Sequence, residues 1–212
     1  VMEYCAELTP AAQRIGSVNT ILRRPDGTLL GDNTDYDGFL YLLKSAGAQI
    51  EGRKALVLGS GGASLTVRAV ISELGAREII TISRSGENNY QNLDRHADAQ
   101  IIVNATPVGM YPNNGVSPVD LDQFPQCEGV FDLIYNPAKT QLLLQAQRRG
   151  LIWGNGLGML VAQAKAASER FQGKKLPDEL VTDITAKLER ETKNILLIGM
   201  PGCGKTTVGK AL

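Results

Sequence analysis

The middle of the chain alternates short apolar runs with segments whose apolar residues recur every three or four positions. Strands are predicted near residues 55–58, 78–82, 100–104, 129–134 and 151–153, a rhythm that calls for a parallel sheet with helices on its faces. The first run, Ala55 to Leu58, leads through Gly59-Ser-Gly-Gly-Ala-Ser64 into a segment with Val67, Val70, Ile71 and Leu74 on one face. That succession reads as strand, glycine turn and helix start. The connection from Arg84 to Ala99 is short and polar, so a brief or irregular helix is expected there. After the last strand, Gly154-Asn-Gly-Leu-Gly158 opens a helix whose predicted apolar stripe is Leu160, Ala164, Ala167 and Phe171, with Gln163 beside it.

The two ends follow other patterns. Residues 1–14 read as the tail of a helix with Val1, Tyr4, Cys5 and Leu8 on one face, before Thr9-Pro10 restarts a turn. Ile15 to Leu22 is strand-like, and Asp26-Gly27 marks a hairpin into Thr28-Leu29-Leu30. Asp35 begins a helical segment carrying Phe39, Leu40, Leu42 and Leu43, ended by Gly47. Residues 173–193 are rich in Lys, Asp and Glu, with Leu180, Ile184 and Leu188 at helical spacing, and read as an exposed helix or linker. A new strand, Asn194 to Ile198, precedes Gly199-Met-Pro-Gly-Cys-Gly-Lys-Thr206.

Composition narrows the partners. Lys+Arg and Asp+Glu both number 22 in 212 residues, so no electrostatic case arises for nucleic acid or an anionic membrane surface. No apolar run reaches the roughly 18 residues of a membrane span, and the N-terminus has no signal-peptide pattern. Cys5, Cys127 and Cys203 are odd in number and in no metal-ligand spacing. They suggest a reducing, cytoplasmic setting.

The chemistry concentrates at strand ends. Glycines at 59, 61 and 62 permit a backbone to approach a pyrophosphate, and a helix N-terminus behind them favours an anion. The third glycine of the general pattern is replaced by Ser64, a small residue that still lets helix and strand pack closely. About 20 residues past the turn, where an acid would suit the free ribose hydroxyl of NAD, the chain has Ser83-Arg84-Ser85. An arginine there suits the 2′-phosphate of NADP; its bland alternative is a solvated strand end. Asn104-Ala-Thr-Pro-Val-Gly-Met110 follows the third strand, either a ligand-facing loop or a plain Pro/Gly turn. Asn19 and Gln163, read alone, are satisfied structural amides.

Six motifs in order carry a family resemblance: Gly16-Ser-Val-Asn-Thr20, Gly31-Asp-Asn-Thr-Asp35, Gly59-Ser-Gly-Gly-Ala63, Asn104 to Met110, Tyr135-Asn-Pro137 and Gly156-Leu-Gly-Met-Leu-Val-Ala-Gln163. Together, over about residues 1–173, they resemble shikimate dehydrogenase. The resemblance implies an α/β fold with a Rossmann-type parallel sheet, and NADP-dependent reduction of 3-dehydroshikimate to shikimate. It implies that Asn19, Asp35 and Gln163 hold substrate hydroxyls with Tyr135 near, since such a site rejects analogues lacking them. Gly59, Ser60, Gly61, Gly62 and Ala63, with Ser83, Arg84 and Ser85, would hold the phosphates of NADP. Thr106, Leu133 and Gly156 would lie near its nicotinamide. Asp35 is the implied catalytic carboxylate, paired with a lysine that the family spacing puts a few residues before Val1, so the piece by itself is expected to lack turnover. The family often has a further basic residue after the arginine. Here Gly86-Glu87-Asn88 intervene, so NADP preference would rest on Arg84.

Gly199 to Thr206 matches G-x-x-x-x-G-K-T in full. In such a loop Gly199, Gly202, Gly204 and Lys205 cradle the phosphates of ATP and Thr206 binds magnesium. With its flanks it resembles the opening of shikimate kinase. The implied organisation is a substrate-domain remnant (1–34), an NADP domain (35–156), a returning helix and linker (157–192) and the start of a P-loop kinase domain (193–212). Two other readings stay open: a P-loop kinase with the preceding region as accessory module, and a non-catalytic relative that binds NADP or quinate. His96, the only histidine, is expected to be solvated, Trp153 to pack at a strand end, and Cys203 to be a variable loop position.

Overall fold

The computed structural model describes residues 1–193 and 197–211. A parallel sheet of five strands forms the larger unit: β4 (Lys54–Leu58), β5 (Glu78–Ile82), β6 (Ile101–Asn104), β7 (Gly129–Asp132) and β8 (Ile152–Gly154), in the order β5-β4-β6-β7-β8. The preceding strands β1 (Glu7–Leu8), β2 (Thr20–Arg23) and β3 (Leu29–Asp32) make a separate small sheet, with β3 central, parallel to β1 and antiparallel to β2. The five predicted strands are present. Their continuous apolar runs follow from burial on both faces: Ala55 and Val57 face one core cluster, Leu56 and Leu58 the other.

Helices cover those faces. α2 (Asp35–Ser45) and α3 (Gly62–Glu73) bring Phe39, Leu42, Leu43, Val67, Val70 and Ile71 against Val57, Val103 and Phe131. α4 (Gln141–Arg148) packs Leu142, Leu143 and Ala146 on the opposite face with Val130 and Phe124. Thr140 caps α4 by accepting the Leu143 N–H at 3.4 Å. As expected, the crossover between β5 and β6 holds only a short 3-10 turn, Leu93–His96. α5 (Gly156–Gln172) lies across α2, and α6 (Glu179–Glu191) buries Val181 against Val161 and Ala162 of α5. No described helix is long and apolar enough to cross a membrane.

Several expectations are corrected. Residues 1–14 are not one helix: a 3-10 turn at Met2–Tyr4 gives way to β1, and α1 (Pro10–Ile15) starts afresh. Its start is fixed by Thr9, which accepts the Ala12 N–H at 3.3 Å, and by Pro10 in the first turn. Ile15 therefore ends a helix, capped by Gly16 at φ +74°, and the strand begins only at Thr20. On α5 the buried face is Leu157, Val161, Ala162, Ala166 and Glu169, while Leu160 and Phe171 are exposed. α2 and α5 approach closely at Gly38, where an added carbon would lie 2.6 Å from the Met159 carbonyl oxygen. α6 forms the helix expected over this stretch and is largely exposed, with Val181 its buried residue.

His96 is buried rather than solvated, with its Nε2 3.0 Å from Asn88 Oδ1. The expected strand Asn194–Ile198 falls partly outside the described residues, and Leu197 and Ile198 are in no strand. α7 (Lys205–Ala211) follows the glycine-lysine loop.

Candidate functional site

The order β5-β4-β6 reverses direction at β4 and β6, and in doubly wound sheets the crevice at that reversal receives ligands. Both predicted loops leave there. Gly59 donates its N–H to Ile82 O at 2.8 Å and takes φ +105°, a region that favours glycine. A carbon on Gly59 would also sit 2.9 Å from Thr106 Cγ2, so the turn and the 104–110 loop touch without room for a side chain. Beyond it the mouth is open: added carbons on Gly61 or Gly62 would meet nothing within 4 Å. α3 begins at Gly62 with no side-chain cap, so no side chain occupies its first N–H groups at that opening. Ser64 is buried and donates to Gly61 O at 2.6 Å, which explains how a serine serves at the third position.

Behind the 104–110 loop stands a buried polar network that sequence reasoning missed. Asn104 Oδ1 accepts from Thr106 N at 3.0 Å and Thr106 Oγ1 at 2.6 Å, and its Nδ2 donates to Asp132 Oδ1 at 3.0 Å. Asp132 also accepts from Ile134 N at 3.1 Å and Thr140 Oγ1 at 2.6 Å. Its carboxyl is wholly buried, and burial, opposed by those hydrogen bonds, raises its pKa to about 6. Leu133 and Gly156 lie close together: an added carbon on Gly156 would lie 2.0 Å from Leu133 O. Gly156 is thus restricted to glycine by close backbone approach.

A second cluster joins the small sheet to α5. Asn19 Oδ1 accepts from Thr34 N at 2.9 Å and Thr20 Oγ1 at 2.9 Å, and Thr34 Oγ1 reaches Gln163 Oε1 at 3.4 Å. Asn33 ties the same motifs together by donating to Ser17 Oγ at 2.8 Å and accepting from Asp35 N at 3.2 Å. Burial raises the pKa of Asp35, offset in part by a hydrogen bond from Asn19. Asn19, Asp35 and Gln163, spread over 145 positions (163 − 19 + 1), are therefore brought to one place. Thr34, fully buried between them, was not singled out from sequence, although it lies inside Gly31-Asp-Asn-Thr-Asp35.

Tyr135 stands apart. It is half exposed and lines a cleft of about 860 Å³ with Tyr41, Trp153, Asn155 and Leu157. Trp153 packs on the core as expected, with Lys139 Nζ 5.2 Å from its ring centre. Arg84 and Ser85 are exposed at the tip of the loop after β5, with Ser83 half-buried behind them.

In the glycine-lysine loop, Gly202 and Gly204 both take φ +80°, and Lys205 Nζ donates to Gly199 O at 2.7 Å and Met200 O at 2.8 Å. Thr206 is exposed. Among the described residues no group of three or more His, Cys, Asp or Glu side chains is placed to hold a metal ion.

Comparison with known proteins gives these arrangements a family. No family model matches the chain. It is 36% identical to the shikimate dehydrogenase (NADP(+)) of Symbiobacterium thermophilum, covering 89% of this chain and 72% of that protein. It is likewise 36% identical to the enzyme of that name from Methanopyrus kandleri, covering 86% and 71%. Among solved structures, a chorismate mutase/shikimate 5-dehydrogenase fusion protein from Clostridium acetobutylicum superposes with a TM-score of 0.85 at 34% identity, covering 91% of this chain and 74% of that one. Shikimate 5-dehydrogenase from Thermus thermophilus, in complex with NADP(H) and shikimate, superposes with a TM-score of 0.75 at 32% identity over 88% and 74%. The chain belongs to the shikimate dehydrogenase family.

Proposed function

We propose that the chain carries the cofactor site and part of the substrate site of an NADP-dependent reduction of 3-dehydroshikimate to shikimate. The observation that carries the reading is the convergence of Asn19, Thr34, Asp35 and Gln163, two amides, a hydroxyl and a half-buried carboxylate, on one edge of α5. A polyhydroxy acid supplies the paired donors and acceptors that such a cluster needs. Asp35, raised by burial, would be drawn back down by an ammonium beside it, and would orient that ammonium in return.

The glycine turn fits NADP because its mouth is open and the N–H groups of α3 are uncapped. In this reading Gly59 to Ala63 hold the pyrophosphate, Ser83, Arg84 and Ser85 the 2′-phosphate, and Thr106, Leu133 and Gly156 the nicotinamide end, with Tyr135 beside the substrate. NADPH, when bound, supplies the hydride. The division into substrate-domain remnant (1–34), cofactor domain (35–156), returning helices (157–192) and a further unit from 193 belongs to the same proposal. The test is equilibrium binding of reduced cofactors by nicotinamide fluorescence. Arg84→Ala is expected to weaken NADPH by about 10- to 100-fold, the worth of a charge-assisted hydrogen bond, and NADH by less than threefold. Equal loss for both cofactors overturns the assignment.

A second reading concerns the C-terminal loop. The Gly199–Thr206 backbone, with Lys205 folded onto two of its carbonyls, supports a phosphate-binding loop for ATP and magnesium, as at the start of a shikimate kinase. Its described part is a loop followed by the short helix α7.

A further inference from the structure

The crossover between β5 and β6 has to bring the chain from the cofactor edge of the sheet back to the opposite edge without an α-helix. Asparagine side chains hold it instead. Ser83 donates its N–H to Asn88 O at 3.1 Å, closing a turn around Arg84 and Ser85. The turn is so tight that a carbon added to Gly86 would lie 2.5 Å from Ser83 Oγ. Asn89 Nδ2 donates to Gly86 O at 3.1 Å, Asn92 Nδ2 to Glu87 O at 2.9 Å, and Asn89 N to Asn92 Oδ1 at 2.9 Å. Each of these bonds is local to the loop. A further bond ties the loop to the 3-10 turn that follows it, His96 Nε2 lying 3.0 Å from Asn88 Oδ1, and Tyr90 packs on the core.

His96 is itself held fast. It closes the 3-10 turn whose first residue, Leu93, is buried in the core, and its carbonyl accepts the Ala99 N–H at 3.0 Å. Burial, reinforced by the charge of Lys54, lowers the pKa of the ring, while Glu78 and Asp98 act in the other direction and Arg95 with Lys54. Burial thus favours the neutral ring. The Asn88 oxygen assigns the proton to Nε2 and leaves Nδ1, which has no partner among the described residues, as a lone pair rather than an orphaned donor.

We infer that His96 is a positioning residue for recognition of the cofactor's 2′-phosphate: through Asn88 it clasps the turn that presents Ser83, Arg84 and Ser85. The inference rests on the reading of Arg84 proposed above. A ribose without a 2′-phosphate has no use for the clasp, so its loss should be felt by one cofactor and not the other.

The test is binding of NADPH and NADH to the whole chain by nicotinamide fluorescence, for His96→Ala, Asn88→Ala, the double variant and His96→Gln. Each alanine variant is expected to weaken NADPH about fivefold, the worth of one ordering hydrogen bond, and to leave NADH within twofold. The double variant should lose no more than either single one, because both remove the same link. His96→Gln, whose amide N–H can reach Asn88 Oδ1, should restore NADPH binding, which a mere packing role for the ring would not allow. Unchanged NADPH binding, equal loss for both cofactors, or additive losses overturn the inference. Should His96→Ala fold poorly, Asn88→Ala with His96→Gln decides the same question. Arg84→Ala run alongside separates the two proposals: if it leaves the NADPH/NADH ratio unchanged the reading of Arg84 fails, and if it alone shifts the ratio only the clasp fails.

Discussion

Asp132 shows what a single buried carboxylate contributes and costs here. It receives Asn104, Ile134 and Thr140, and so sets both the 104–110 loop and the first turn of α4. Its folded pKa of about 6 lies above the usual value of 3.8. The protonated form is thus favoured by folding: the contribution is full below pH 4 and is lost as pH rises through 6. The shift corresponds to roughly 3 kcal/mol. In Asp132→Asn that dependence should vanish, so urea melts of wild type and variant should converge above pH 6 in slope and diverge between pH 4 and 6. Parallel pH profiles across that window would show that Asp132 does not titrate there. Neither Asp132 nor Thr34 was legible in the sequence, because a buried polar residue takes its meaning from partners that lie far along the chain. The glycine turn at Gly59 was legible, because turn geometry is a local property.

Elements were legible in proportion to how strictly their surroundings imposed a period. The five strands of the parallel sheet, buried on both faces, announce themselves as apolar runs, and α3 shows its single buried face plainly. The α5 stripe was misread because the buried face is set by packing against α2 and α6, which takes Leu157, Val161, Ala162 and Ala166 and leaves Leu160 and Phe171 exposed. The N-terminal segment was misread because β1, only Glu7–Leu8, is too short to show a pattern and is defined by pairing with β3. The α2–α5 contact turns on Gly38, where a methyl group would press on Met159 O at 2.6 Å and Gln163 Cβ at 3.0 Å. Gly38→Ala is expected to lower stability by about 1–3 kcal/mol through overpacking. Chemical denaturation measures it, and a change below 0.5 kcal/mol would mean that the helices separate at little cost.

At the scale of the molecule, the small sheet is fastened to the larger unit by Arg170 of α5. Its Nε lies 2.6 Å from Asp32 Oδ2 and its Nη2 2.8 Å from Asp37 Oδ2. Asp32 is buried, which by itself would raise its pKa. Hydrogen bonds from Thr9 and Arg170 and from the Asn33 N–H outweigh that and hold it below the usual value. The stabilisation is accordingly present above pH 4 and lost on acidification. Arg170→Ala leaves Asp32 buried without its cation, and is expected to cost about 3 kcal/mol at pH 7 and less at pH 3. Equal costs at the two pH values would show that the arginine acts by packing alone.

The helix-free crossover has a consequence for engineering. Because residues 83–92 are laced together chiefly by their own asparagines, and meet the sheet through few side chains, they form a cassette. On the proposed role of Arg84, transplanting such a segment whole would exchange one dinucleotide preference for another while the strands on either side kept their registers.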